Sequence, residues 1–127
     1  MDNNKLPKQE RLSGRKRIGT LFSEGSTGFV YPFRYVFALS DGGSGEGKVS
    51  ILVSVPKKYH KRAVRRNKLR RRTRESYRLG KRRLSDKVVS MGKQVDLALI
   101  YVSKEVEEYK TIDNAVGKIL AQIAENI

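Results

Sequence analysis

The chain has no cysteine, a single histidine and, across its most basic stretch, almost no acid. Without cysteine there is no disulfide framework and no thiolate metal site. One histidine, His60, makes neither a zinc site nor an evident catalytic triad. Its place in a basic connector predicts an exposed ring or an RNA contact. No regular spacing holds two carboxylates together for acid–base chemistry. Glu105, Glu107 and Glu108 crowd behind the last expected strand, where acids suit a turn or a helix N-terminus better than a metal. No apolar run opens the chain as a signal peptide would, and no window approaches a membrane span. Internal repeats are absent. The expectation is a cytoplasmic protein that touches no membrane and carries no catalytic residues and no metal ligands.

What is present is charge of one sign. The 127 residues hold 28 Lys and Arg against 13 Asp and Glu, a formal net charge of +15. The stretch Lys57–Arg83 alone has 15 bases and one acid, Glu75, whereas the other 100 residues have 13 bases and 12 acids. The excess is local and needs an anionic partner at that place. On a helix at about 100° per residue, Leu69, Thr73, Ser76, Gly80 and marginally Tyr77 fall on one side. Arg66, Asn67, Arg70, Arg71, Arg74 and Arg78 fall on a neighbouring arc, and Lys68, Arg72 and Glu75 take the outer side. A solvated surface helix would mix signs at four-residue spacing. This one sets like beside like, and the planar forks of Arg suit phosphate.

A chain of this length forms one domain with a real core. Residues 1–10 are polar and expected to be loose, and 11–127 form the domain. Ser13 caps an expected helix to Glu24 that Gly25 terminates, with Leu12, Ile18, Leu21 and Phe22 as its apolar edge. Arg15, Lys16 and Arg17 sit in its first turn against the helix dipole, as phosphate ligands or as an ordinary exposed turn. Gly25–Gly28 is read as a turn. Phe29–Leu39 is strand interrupted by Pro32, with an edge piece and a main strand near Phe33–Leu39. Gly42–Lys48 matches G-x-x-x-x-G-K, but Val49 and a strand follow where a phosphate loop needs Ser or Thr and a helix. Val49–Val55 alternates cleanly, with Val49, Ile51, Val53 and Val55 on one face. The basic helix starts near Ala63 and runs toward Met91, with a possible break at Gly80, and Gly92 closes it. Val95–Val102, apolar on both faces except Asp96, suits a central strand. Thr111 caps a last helix through Ile127. The fold class is α+β, an α/β sandwich in the order helix, three strands, helix, strand, helix. Phe22 and Phe37 serve as core or as platforms for unpaired bases.

The run SVPKK followed by AVRRNKLRRRTRESYR resembles the signature of the bacterial ribonuclease P protein component. Arg11–Gly25 is similar to the opening helix of that family. Arg66 and Asn67 match the first two residues of its Arg-Asn-Arg motif, and Lys68 stands in the third place. Arg70 and Arg71 match its Lys-Arg pair, Arg74 with Glu75 its Arg-Glu pair, and Lys57 and Lys58 its lysine doublet. Pro56 replaces the serine before that doublet. Phe22 and Phe37 match aromatic positions of the leader-binding cleft, and Ile18 fills a place often held by Phe. The resemblance implies a protein subunit that assists a catalytic RNA, with Mg2+ held mainly by that RNA, in hydrolysing the 5′ leader from precursor tRNA. It also implies a mixed sheet with a left-handed strand–helix–strand crossover and a monomer when free. Lys57, Lys58, Arg66, Asn67, Lys68, Arg70, Arg71, Arg74 and Arg78 become RNA contacts, and Ile18, Phe22 and Phe37 line the leader cleft. The alternatives are a general RNA-binding or ribosomal protein, and a protein-only nuclease using the acids at 105–108.

Overall fold

The computed structural model describes residues 12, 14–41 and 48–127. The expectations for residues 1–10, the Ser13 cap and the glycine-rich loop at 42–47 lie outside the described residues. The elements are α1 (Arg15–Glu24), β1 (Ser26–Val30), β2 (Phe33–Asp41), β3 (Lys48–Ser54), α2 (Ala63–Gly80), α3 (Arg82–Met91), β4 (Lys93–Tyr101) and α4 (Tyr109–Asn126). The strands form one sheet in the order β1-β2-β4-β3. β1 with β2 and β2 with β4 are antiparallel, and β3 with β4 is parallel. A parallel neighbour cannot be reached by a hairpin, so α2 and α3 together carry the crossover from β3 to β4.

The alternation of apolar residues decides which side of the sheet is thick. Val49, Ile51 and Val53 of β3, Phe33 and Tyr35 of β2, and Val95, Leu97, Leu99 and Tyr101 of β4 face one way. There they meet Leu69 and Tyr77 of α2, Leu84 and Val88 of α3, and the stripe Ile112, Val116, Ile119, Leu120 and Ile123 of α4. Phe33 and Tyr101 touch edge to face, centroids 5.5 Å apart. The other side has a much smaller cluster of Leu12, Leu21, Val36 and Ala98, with Ile18, Ala38, Leu52 and Ile100 packed against it. Among the described residues, α1 and Leu12 just before it cover that side. The apolar run of β4 is thus explained: it lies between β2 and β3 and is covered on both faces.

Two local expectations change, at Gly25–Gly28 and at Thr111, and the possible break at Gly80 is realised. Ser26–Gly28 is not a turn but the start of β1, paired with Tyr35–Phe37. The chain passes straight from α1 into β1 because Gly25 has extended backbone, and its place beside β2 leaves no room for a side chain. A Cβ there would lie 2.5 Å from the Leu21 carbonyl oxygen and 2.7 Å from Val36 Cγ1. The basic segment is two helices, α2 and α3, parted at Lys81, and Gly92 ends the second with φ 64°, the left-handed conformation glycine adopts freely. α4 begins at Tyr109 after Glu108, so Thr111 is inside it. The early start follows from Tyr101, whose hydroxyl donates to the Glu105 carbonyl at 2.5 Å and accepts from the Glu107 N–H at 3.1 Å, turning the chain before Thr111 is reached.

Candidate nucleic-acid interface

Helix α2 docks through a narrow stripe. Leu69, Thr73, Ser76 and Tyr77 are buried, as their spacing predicts, while Gly80 is exposed. The polar members of the stripe are satisfied: Thr73 Oγ1 donates to the Leu69 carbonyl at 2.8 Å and Ser76 Oγ to Asp113 Oδ1 at 2.6 Å. A stripe this narrow leaves most of the helix circumference to cations.

The polar side chains of this helix and its connector divide into two sets. Asn67 and Arg71 are exposed on the helix, and Lys57 and Lys58 on the connector before it. Arg70 donates to Asn67 Oδ1 at 3.0 Å, which fixes both side chains on the outward arc. Lys68 and Arg74 are half-buried. Arg66 instead turns back and donates to the carbonyls of His60 at 3.0 Å and Lys61 at 2.7 Å, so one of its guanidinium nitrogens is spent on the chain entering α2. Arg78 pairs with Glu75 at 2.5 Å. The outer placement expected for Lys68, Arg72 and Glu75 does not hold, because the chain between β4 and α4 climbs along that flank. Arg72 Nη1 donates to the Glu107 carbonyl at 2.5 Å.

His60 is neither exposed nor available to RNA. It is 2% exposed, its Nε2 is 2.8 Å from the Ser103 carbonyl oxygen, and its ring tilts against Tyr101. Ser103 Oγ lies 2.8 Å from the Tyr31 hydroxyl, which donates to Glu107 Oε2 at 2.6 Å. This network ties the connector before α2 to the β1–β2 turn and to the loop after β4. Glu107 is committed to Tyr31, and Glu108 is the residue from which α4 starts. Among the described residues no three His, Cys, Asp or Glu side chains converge as a metal site.

The thin side of the sheet can be read row by row from the strand register. Ala38, Asp96 and Ser50 form one row, Thr27, Val36, Ala98 and Leu52 the next, and Phe29, Arg34, Ile100 and Ser54 the last. α1 covers the first two. Arg17 reaches Asp96 Oδ1 at 2.6 Å and Oδ2 at 3.1 Å, and Ser50 Oγ at 3.2 Å. Of the three first-turn cations, Arg17 is therefore committed to the sheet and Arg15 and Lys16 are exposed. In the last row Ile100 packs on the α1 cluster and Ser54 is half-buried, while Phe29 and Arg34 are exposed. A hollow of about 570 Å³ lies there, lined by Phe29, Arg34, Tyr59 and Val102.

The three residues expected to line a cleft do not share one wall. Ile18 packs on the thin side. Phe22 lies on the same flank of α1 by helix spacing and is 45% exposed. Phe37 points to the thick side, where its ring stacks on Tyr35 with centroids 6.3 Å apart. It borders a groove of about 1330 Å³ that Arg15, Thr20 and Leu21 of α1 also line and that runs past the part of β2 beyond its pairing with β1. Sequence reasoning missed Arg34 and Phe29. The available signal was a lone cation inside an aromatic strand, on the alternation that puts it with Val36 and away from Phe37.

Comparison with known proteins joins this geometry to a family. The family model described as Ribonuclease P matches residues 6–123. The ribonuclease P protein component of Porphyromonas gingivalis strain W83 is 41% identical over 125 residues, covering 96% of this chain and 88% of that protein. Among solved structures, the RNase P protein from Thermotoga maritima superposes with a TM-score of 0.70 at 24% identity, covering 89% of this chain and 96% of that one. The Staphylococcus aureus RNase P protein superposes with a TM-score of 0.62 at 19% identity, over 91% and 95% of the two chains. The chain belongs to the ribonuclease P protein family, as the subunit that accompanies the catalytic RNA of this endoribonuclease in 5′ processing of tRNA.

Proposed function

We propose that the protein holds the two RNAs of the reaction on two adjoining surfaces. The outward arc of α2 with the Lys57–Lys58 connector meets the catalytic RNA, chiefly at phosphates. The exposed end of the last row, with Ile18 and Phe22 on α1 beside it, takes the single-stranded leader. The observation that carries this reading is the division of the thin side: among the described residues α1 packs over Val36, Ala98, Ala38 and Asp96 and leaves Phe29 and Arg34 exposed at the β1–β2 end of the third row, beside the connector that leads to α2. Phosphate contacts by Lys68, Arg70, Arg71 and Arg74 would neutralise dense RNA charge and let leader and catalyst approach, with Asn67 adding an uncharged donor. Arg66 and Arg78 contribute with the donors their internal bonds leave over.

Among the described residues no carboxylates converge as a magnesium site, which needs several oxygen ligands in octahedral array. In this reading Mg2+ is held by the RNA, and the protein acts on it only by lowering repulsion between the strands. Residues 11–127 act as one RNA-binding domain, monomeric when free and cytoplasmic. Consistent with the last point, no helix among the described residues is long and apolar enough to cross a membrane. The test is cleavage of precursor tRNA by the cognate RNA at low magnesium, with and without the protein. Stimulation is expected, and equal rates in both arms would reject the reading.

A further inference from the structure

We propose that the hollow at the exposed end of the last row is a base-reading subsite in which Arg34 selects guanine at one position of the leader. The inference rests on the reading that the leader crosses this face. Arg34 stands at the start of β2 between its cross-strand neighbours Phe29 and Ile100. It is exposed, and no hydrogen bond or ion pair engages its guanidinium among the described residues. Asp96, the acid on this face of the sheet, is already taken by Arg17. Phe29, directly opposite on β1, is 60% exposed, an unusual setting for a phenylalanine that packs on nothing larger. Tyr59 closes the far side, with the Lys58 ammonium 5.1 Å from its ring centre.

These groups have the chemistry of a nucleobase site. An unpaired base needs an aromatic face to stack on and an edge reader in its plane. Phe29 supplies the face, and the Arg34 fork supplies two parallel N–H donors beside it. The hollow, about 570 Å³, is within the range of single-ligand sites. Guanine offers O6 and N7 as adjacent acceptors to such a fork, whereas adenine, with the same stacking area, places an amino donor beside N7. The Lys58 charge draws the following phosphate toward the connector and so fixes which way the strand runs.

The experiment uses the reconstituted ribonucleoprotein and a pool of precursor tRNAs randomised in the leader, with relative kcat/KM read by internal competition. The wild-type protein should favour G over A about five-fold or more at one leader position. R34M should erase the preference at that position and leave the relative preferences elsewhere unchanged, and F29L should weaken it. Three results would overturn the proposal: no position at which the wild type separates G from A, an identical profile for R34M, or an R34M loss uniform across all sequences, which marks a phosphate contact. Cleavage of the full-leader pool at low magnesium, with and without the protein, separates this from the broader reading: stimulation without discrimination of G from A overturns the subsite alone, and no stimulation overturns the leader-holding reading and this one with it.

Discussion

Arg17 and Asp96 form a two-point ion pair that joins the first turn of α1 to the central strand β4. It explains two oddities at once: a cation placed against a helix dipole, and an acid in the most apolar strand. The pair also sets how α1 lies across the sheet, and therefore which part of that face is left exposed. D96A should cost about 1–2 kcal/mol, less than a fully buried pair because the Arg17 side chain is 35% exposed. Chemical denaturation measures this, and a loss below about 0.3 kcal/mol would show that α1 is held by its apolar contacts alone.

Arg71 is exposed and lies on the outward arc of α2. R71A should leave the unfolding free energy within about 0.5 kcal/mol of wild type. It should lower the slope of log K against log salt for RNA binding by about 0.7–0.9, the value for one phosphate contact. An unchanged slope would take Arg71 out of the interface.

His60 is a structural residue, buried against Tyr101 and bonded to Ser103. H60A empties that space and leaves a buried carbonyl without its partner, at a cost of about 2–4 kcal/mol. The denaturant midpoint reports it. A neutral result would mean that the connector before α2 is held by Arg66 and not by the ring.

Alkaline pH should loosen the same region. Burial pushes the Tyr101 and Tyr109 hydroxyls above the ordinary tyrosine range, and the hydrogen bond to Glu107 raises that of Tyr31. In each case the folded protein keeps a proton that the unfolded chain releases near pH 10. Stability is therefore full below about pH 10 and falls as pH rises through the raised folded values. Tyrosinate absorbance followed with circular dichroism should show part of the six tyrosines ionising only as structure is lost. Complete ionisation with the fold intact would contradict the assignment.

Much of this was legible in the sequence because it depends on short periods. Alternation along Val49–Val55 placed β3, the run Val95–Val102 placed β4 at the centre, and Leu69, Thr73, Ser76 and Tyr77 gave the docked stripe of α2. What was not legible depends on partners far apart in the chain. His60 is buried by Ser103 and Tyr101, and Arg72 is claimed by a loop that no spacing predicts. Phe37 shows the same limit from the other side: its aromatic character suggested stacking, but the register of β2 turns it away from α1.

The unequal dressing of the two faces of the sheet has a consequence for how such a protein can change. Among the described residues, three helices on one side hold the main core, and one short helix with Leu12 packs on the other, which carries less of that duty. Exposed residues there such as Arg34 and Phe29 can be exchanged with little penalty to folding, so the chemistry of that face can drift while the scaffold stays as it is.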